Sequence, residues 1–151
     1  MASGTIVWNI EQTDRIFAKV KGRLLTFTTM FLQEINNEMI IATPVKLGFL
    51  RGSWFNGLNQ IPSGEGVADP AGAETVNRLN STVLTMTLGD IYYLVNTAVY
   101  AARIEFGFFG RDKLGRNINQ EGRGFVRGVV NQSYSIANRV ANEVATGKYD
   151  A

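Results

Sequence analysis

Apolar residues in the first third of the chain recur three and four positions apart. Phe17, Val20, Leu24, Phe27, Phe31, Ile35 and Met39 make one stripe, while Lys19, Lys21, Arg23, Glu34 and Glu38 fall mostly off it. That is the pattern of an amphipathic helix. Asn9, followed three residues later by Gln12, predicts its start near Ile10. Pro44 ends it by pushing Thr43 out of the α region. A helix over 10–41 spans about 48 Å, whereas a compact domain of this length is about 38 Å across. Either the helix breaks near Gly22 or one end overhangs, and an overhanging apolar helix points to a partner subunit.

The remaining pattern is shorter in period. An apolar arm, residues 1–9, precedes the helix. Aromatics and loose alternation over 50–59 predict a strand. Residues 61–80, with Pro62, Gly64, Gly66, Pro70 and Gly72 and little to bury, predict an extended loop that is either functional or disordered. Two β-rich runs around Gly89-Asp90 predict a hairpin. Its register turns Leu84, Met86, Leu88, Ile91, Tyr93 and Val95 toward the helices and Thr85 and Thr87 away. A short helix capped by Thr97 and closed by Gly107 comes next, then a second extended loop over 107–124. A final helix runs from Phe125 to about Ala145, with Val126, Val129, Val130, Tyr134, Ala137, Val140, Ala141 and Val144 on one stripe. The order predicts a single α+β domain over 1–151. Its small, mainly antiparallel sheet of three or four strands carries the long N-terminal helix and the C-terminal helix on one face. The uncovered flank and edges of such a sheet invite cover by further copies of the chain.

Composition narrows the chemistry. The 151 residues are 45% hydrophobic and 19% charged, as expected for one globular core. Cys is absent, which excludes disulfides, thiolate metal sites and cysteine nucleophiles; His is absent, which removes the usual general base and the Ser-His-Asp triad. The glycine-rich stretches contain no Gly-x-x-x-x-Gly-Lys-Ser/Thr sequence and do not lead a strand into a helix, so they are not read as phosphate loops. Glu34 and Glu38, one turn apart, are read as a solvated face and not as metal ligands. No catalytic residue, metal or cofactor is therefore expected, and no enzymatic activity. With no basic leader and charges interrupting each apolar stretch, the chain is expected to stay in the cytoplasm where it is made.

Two segments carry a more specific signal. Thr43-Pro44-Val45-Lys46-Leu47-Gly48-Phe49-Leu50-Arg51-Gly52-Ser53-Trp54, following a long amphipathic helix, resembles the Thr-Pro-Val-x-x-Gly-x-Leu-Arg-x-Ser signature of neck and tail-completion proteins of tailed bacteriophages. Tyr100-Ala101-Ala102-Arg103-Ile104-Glu105-Phe106-Gly107 is similar to that family's Tyr-Ala-x-x-x-Glu-x-Gly segment. Order and approximate separation agree, and the likeness extends over about residues 10–145. Lys46-Leu47 replaces the usual acidic-then-small pair, and Arg103 stands where an aromatic is often found. The resemblance implies a non-enzymatic virion subunit, present in the host cytoplasm during assembly. It would form a six- or twelve-fold homo-oligomeric ring at the head-to-tail junction, in contact with other connector and tail proteins and around the DNA channel. Thr43, Pro44, Val45, Gly48, Leu50, Arg51, Ser53, Tyr100, Ala101, Glu105 and Gly107 are the residues that match the family pattern.

Charge then suggests where contacts lie. The net charge is only +2, too small to announce a nucleic-acid binder. Yet Arg103, Arg111, Lys113, Arg116, Arg123 and Arg127 face only Glu105, Asp112 and Glu121 within one stretch, so the basic excess is local. Phe108 and Phe109 lie inside it, flanked by glycines. The expectation is a projecting loop whose Phe108 and Phe109 anchor a neighbouring subunit or ring, with Arg111, Lys113 and Arg116 facing acidic protein or, without sequence preference, channel DNA. The rival expectation is a small nucleic-acid-binding or regulatory module built on the same 103–127 segment.

Overall fold

The Asn9 side chain accepts the Gln12 N–H at 3.1 Å, and from that cap α1 (Ile10–Ala42) runs without a break to Thr43. The computed structural model describes residues 9–150, so the expected arm lies outside the described residues except for Asn9. Gly22 does not interrupt the helix, and of the two alternatives posed by its length the overhang is the one adopted. Thr43 is extended, as the following proline demands. At 33 residues, α1 is about 50 Å long.

The later elements are α2 (Phe49–Gly52), β1 (Trp54–Leu58), α3 (Ala73–Val83), β2 (Tyr92–Asn96), α4 (Ala101–Phe106), β3 (Gly107–Arg111), β4 (Asn117–Glu121) and α5 (Phe125–Ala145). The fold is α+β, with long first and last helices and two separate antiparallel ribbons, β1–β2 and β3–β4, in place of one sheet of three or four strands.

α5 packs antiparallel on the C-terminal part of α1. Arg139 reaches Glu34 at 3.2 Å, and Asp150, beyond the helix, stands 3.9 Å from Arg23. Ile136, Val140 and Val144 fill this seam against Phe27, Met30, Phe31 and Ile35. A second cluster, at the other end of α5, gathers Met39, Ile40, Leu50, Trp54, Leu79, Ala98, Phe125 and Val129. There the Trp54 and Phe125 rings meet edge to face at 6.3 Å. Between the elements runs a polar chain: Tyr92 donates to Asn36 Oδ1 at 2.6 Å, Asn36 Nδ2 donates to Asn80 Oδ1, and Asn56 Nδ2 donates to the Tyr92 oxygen and the Leu79 carbonyl. Asn36 is fully buried, and these bonds satisfy it.

Several expected elements are replaced. The strand over 50–59 is shortened to β1, because left-handed Gly48 and a bond from Ser53 Oγ to the Phe49 carbonyl coil its beginning into α2. The loop over 61–80 ends at Gly72. Asp69 accepts from the Gly72 N–H and from both the N–H and hydroxyl of Thr75, and so starts α3, which buries Thr75, Leu79 and Val83 at helical spacing. The 84–95 hairpin does not form. Asp90 accepts from the Thr87 N–H and hydroxyl, so the turn survives, but β2 pairs with β1, setting Trp54 opposite Asn96 and Leu58 opposite Tyr92. Asn59 draws the chain to that partner, bonding the Ile91 backbone in both directions and the Asp90 carboxylate. Leu84, Leu88 and Ile91, expected inward, are consequently exposed. Thr97 bonds the Ser53 carbonyl through its N–H and hydroxyl and caps no helix; α4 begins at Ala101. The loop over 107–124 is the β3–β4 hairpin.

Candidate assembly interface

Most residues of the two family-like segments do structural work. Thr43 is buried; its hydroxyl donates to the Met39 carbonyl at 2.6 Å and accepts from the Trp54 indole at 2.9 Å. The Arg51 guanidinium ties the end of α1 to the loop before α3, donating to the Pro70 carbonyl at 2.7 Å and the Thr43 carbonyl at 3.2 Å. Leu50 and Ser53 are buried, and Ala101 packs on the main cluster. Gly48 has φ +83, and a Cβ there would lie 2.3 Å from the Pro70 nitrogen, so both conformation and space require glycine. Glu105, also buried, accepts from the backbone N–H groups of Val126 and Arg127. This carboxylate caps α5, whose own N-cap residue, Gly124, has no side chain to offer.

What these residues leave open is a cleft of about 430 Å³ where the two segments meet. Pro44, Val45, Leu47 and Phe49 line it from one side and Tyr100 and Ile104 from the other; Lys46, Gln120 and Arg123 are also in its wall. Leu47 is 74% exposed, so the cleft opens apolar surface to its surroundings. Spacing alone did not disclose Leu47, Phe49, Ile104, Gln120 and Arg123 as neighbours, since the last two arrive from β4 and beyond. The only sequence signal was that Lys46-Leu47 departs from the family pattern toward charge and apolarity.

Beside the cleft, β3 and β4 pair from Gly107–Glu121 to Arg111–Asn117. Strand alternation separates the two aromatics that sequence had grouped. Phe108 is half-buried under the Arg103 guanidinium, 4.5 Å from its ring centre, on the face that also carries Ile118 and Gln120. Phe109 is 67% exposed on the opposite face with Arg111. At the tip, Asp112 accepts from the Leu114 and Arg116 N–H groups and from Arg116 Nε at 2.6 Å. These bonds, led by the Arg116 N–H, hold its carboxyl below the ordinary range. The tip is thus an ordered turn that displays Lys113, Leu114 and Arg116. Phe108 is a support for the hairpin and Leu114 joins Phe109 as its exposed apolar residue. Comparison of the chain with protein-family models, with curated proteins and with solved structures gives no match.

Proposed function

We propose that this protein is a non-enzymatic structural subunit of a tailed-bacteriophage neck, a collar, connector or tail-completion component that forms a ring joining head and tail around the DNA channel. The observation that carries the reading is the meeting of the two family-like segments at one open cleft of mixed apolar and polar lining, next to a hairpin that presents Phe109 and Leu114 outward. If the projecting Phe109 and Leu114 of one subunit enter the cleft of the next, the contact is head-to-tail, and such a contact closes into a ring when the rotation permits. Aromatic anchors of this kind dominate interface energies.

Electron microscopy of the purified full chain, and of particles that contain it, tests the proposal. Rings are expected, and Phe109→Ala with Leu114→Ala should leave a folded subunit that no longer builds them. A subunit that stays monomeric in both settings overturns the reading. The basic segment supports nucleic-acid binding less well, because Arg103 and Arg127 lie against Phe108 and Phe106 and Arg116 pairs with Asp112. That rival requires tight binding of DNA or RNA by the isolated monomer, with affinity falling steeply as salt rises.

A further inference from the structure

The free part of α1 has a stricter pattern than amphipathicity needs. Ile10, Thr13, Phe17, Val20 and Leu24 alternate at intervals of three and four, the a and d positions of a coiled-coil seam. Ile10, Phe17, Val20 and Leu24 are exposed by 73%, 60%, 57% and 51%, because the C-terminal cover of α1 reaches only as far as Arg23. With Ile10 counted as a, the e positions beside the seam are Asp14 and Lys21, and the g positions are Ile16 and Arg23. None of the ion pairs among the described residues uses Asp14 or Lys21.

We infer that the overhang of α1 pairs with the overhang of a second copy of this chain in an antiparallel, two-fold contact. Charge sets the direction. When a positions face d positions across an antiparallel seam, Phe17 meets Val20 of the second copy and Thr13 meets its Leu24, each contact occurring twice. The same register places e beside e, so Asp14 lies by Lys21 of the second copy and Lys21 by its Asp14. A parallel pair places g beside the following e, where Ile16 meets Lys21 and Arg23 meets Thr28, and no ion pair forms. The acidic and basic positions of this helix therefore complement their own reverse, which suppresses the parallel alternative. Gly22 takes the f position, away from the seam, where its missing side chain is harmless. The contact closes at two copies. It is distinct from the head-to-tail contact of a ring and does not rest on that proposal. A seam of about two heptads is short, so association is weak and concentration-dependent.

The absence of Cys allows one label site, Gln12→Cys, to report the geometry by nitroxide distance on the full chain. Gln12 takes an outer c position, so a parallel pair sets the two labels side by side at about 15 Å, whereas the antiparallel register adds an offset of about 20 Å along the seam and separates them by about 24 Å. Charge reversal supplies the second readout. Asp14→Lys alone and Lys21→Asp alone should each weaken self-association about tenfold at low salt, since both sites are exposed and like charges then meet twice. An equimolar mixture of the two variants should recover the wild-type strength, because each then presents what the other lacks. The inference is overturned by a distance near 15 Å, by no intermolecular distance up to about 1 mM, or by reversals that leave association unchanged.

Discussion

The Glu105 carboxylate, standing on α4, accepts the N–H of Val126 in the first turn of α5 at 2.8 Å and that of Arg127 at 3.1 Å. One short helix thereby supplies the cap of the longest element but one, and does so from a buried position where water cannot replace it. Glu105→Ala is expected to cost about 2 kcal/mol, since it strands two donors at a helix start. Glu105→Gln keeps an acceptor oxygen and should cost less. Urea unfolding of both variants checks the order, and equal losses would show that the cap is not what Glu105 contributes.

Asp69 plays the corresponding part for α3 and brings pH into the stability. Burial tends to raise its carboxyl, but hydrogen bonds from Thr75 and Gly72 and the nearby Arg51 charge outweigh it and leave it below its ordinary value of 3.8. A carboxyl depressed in the folded state stabilises above the unfolded value, and that contribution is lost as pH falls through the folded value. Wild type should therefore exceed Asp69→Asn in unfolding free energy by a constant margin above about pH 5, with the margin shrinking below 3.8. Denaturation at a series of pH values decides, and parallel curves for the two proteins would remove Asp69 from the acid sensitivity.

The register of the middle of the chain is tested by two leucines. Leu79 on α3 has no exposed surface, while Leu88, in the turn before β2, is 41% exposed. Leu79→Ala should cost 2–5 kcal/mol through lost contacts and an unfilled cavity. Leu88→Ala should stay within about 0.5 kcal/mol. Thermal unfolding distinguishes them, and comparable shifts would point back to a half-buried 84–95 hairpin.

Gly22 offers the opposite sign. It lies inside α1, and a Cβ added there meets no atom within 4 Å. Gly22→Ala should raise helix stability by about 0.5–1 kcal/mol, because alanine loses less backbone freedom on folding. A calorimetric transition that fails to rise would indicate that the overhanging turns melt separately from the body.

Periodicity read well wherever one element buried one face over many residues. The α1 start at Asn9, the α1 stop at Pro44 and the span of α5 were all visible, because a long stripe and its caps are local properties. The middle failed for a shared reason. Thr75, Leu79 and Val83 make a helical stripe only three residues long, and it was hidden by the glycines and prolines before it. The strand β2 was recognisable as a strand, but its partner was chosen by Asn59 and by bonds to β1, more than thirty positions away, and not by the adjacent Gly89-Asp90 turn. The same limit applied to the candidate interface. Phe109 and the basic tip could be named from composition, yet the separation of Phe108 from Phe109 needed β4, and the cleft needed two segments over fifty residues apart to fold against each other. Buried Asn36 was illegible altogether, since an asparagine beside an apolar stripe gives no sign of the tyrosine that will satisfy it.

The antiparallel seam between α1 and α5 has a consequence for biosynthesis. Its two sides are joined by bonds such as Arg139 to Glu34, which spans 105 positions of sequence. While residues 125–145 are still untranslated, the nascent α1 carries Phe27, Phe31 and Ile35 with nothing to cover them, and the Trp54 pocket lacks Phe125. The emerging chain therefore leaves the α5-facing stripe of α1 uncovered, and completes this part of its core only after residues 125–145 have cleared the ribosome.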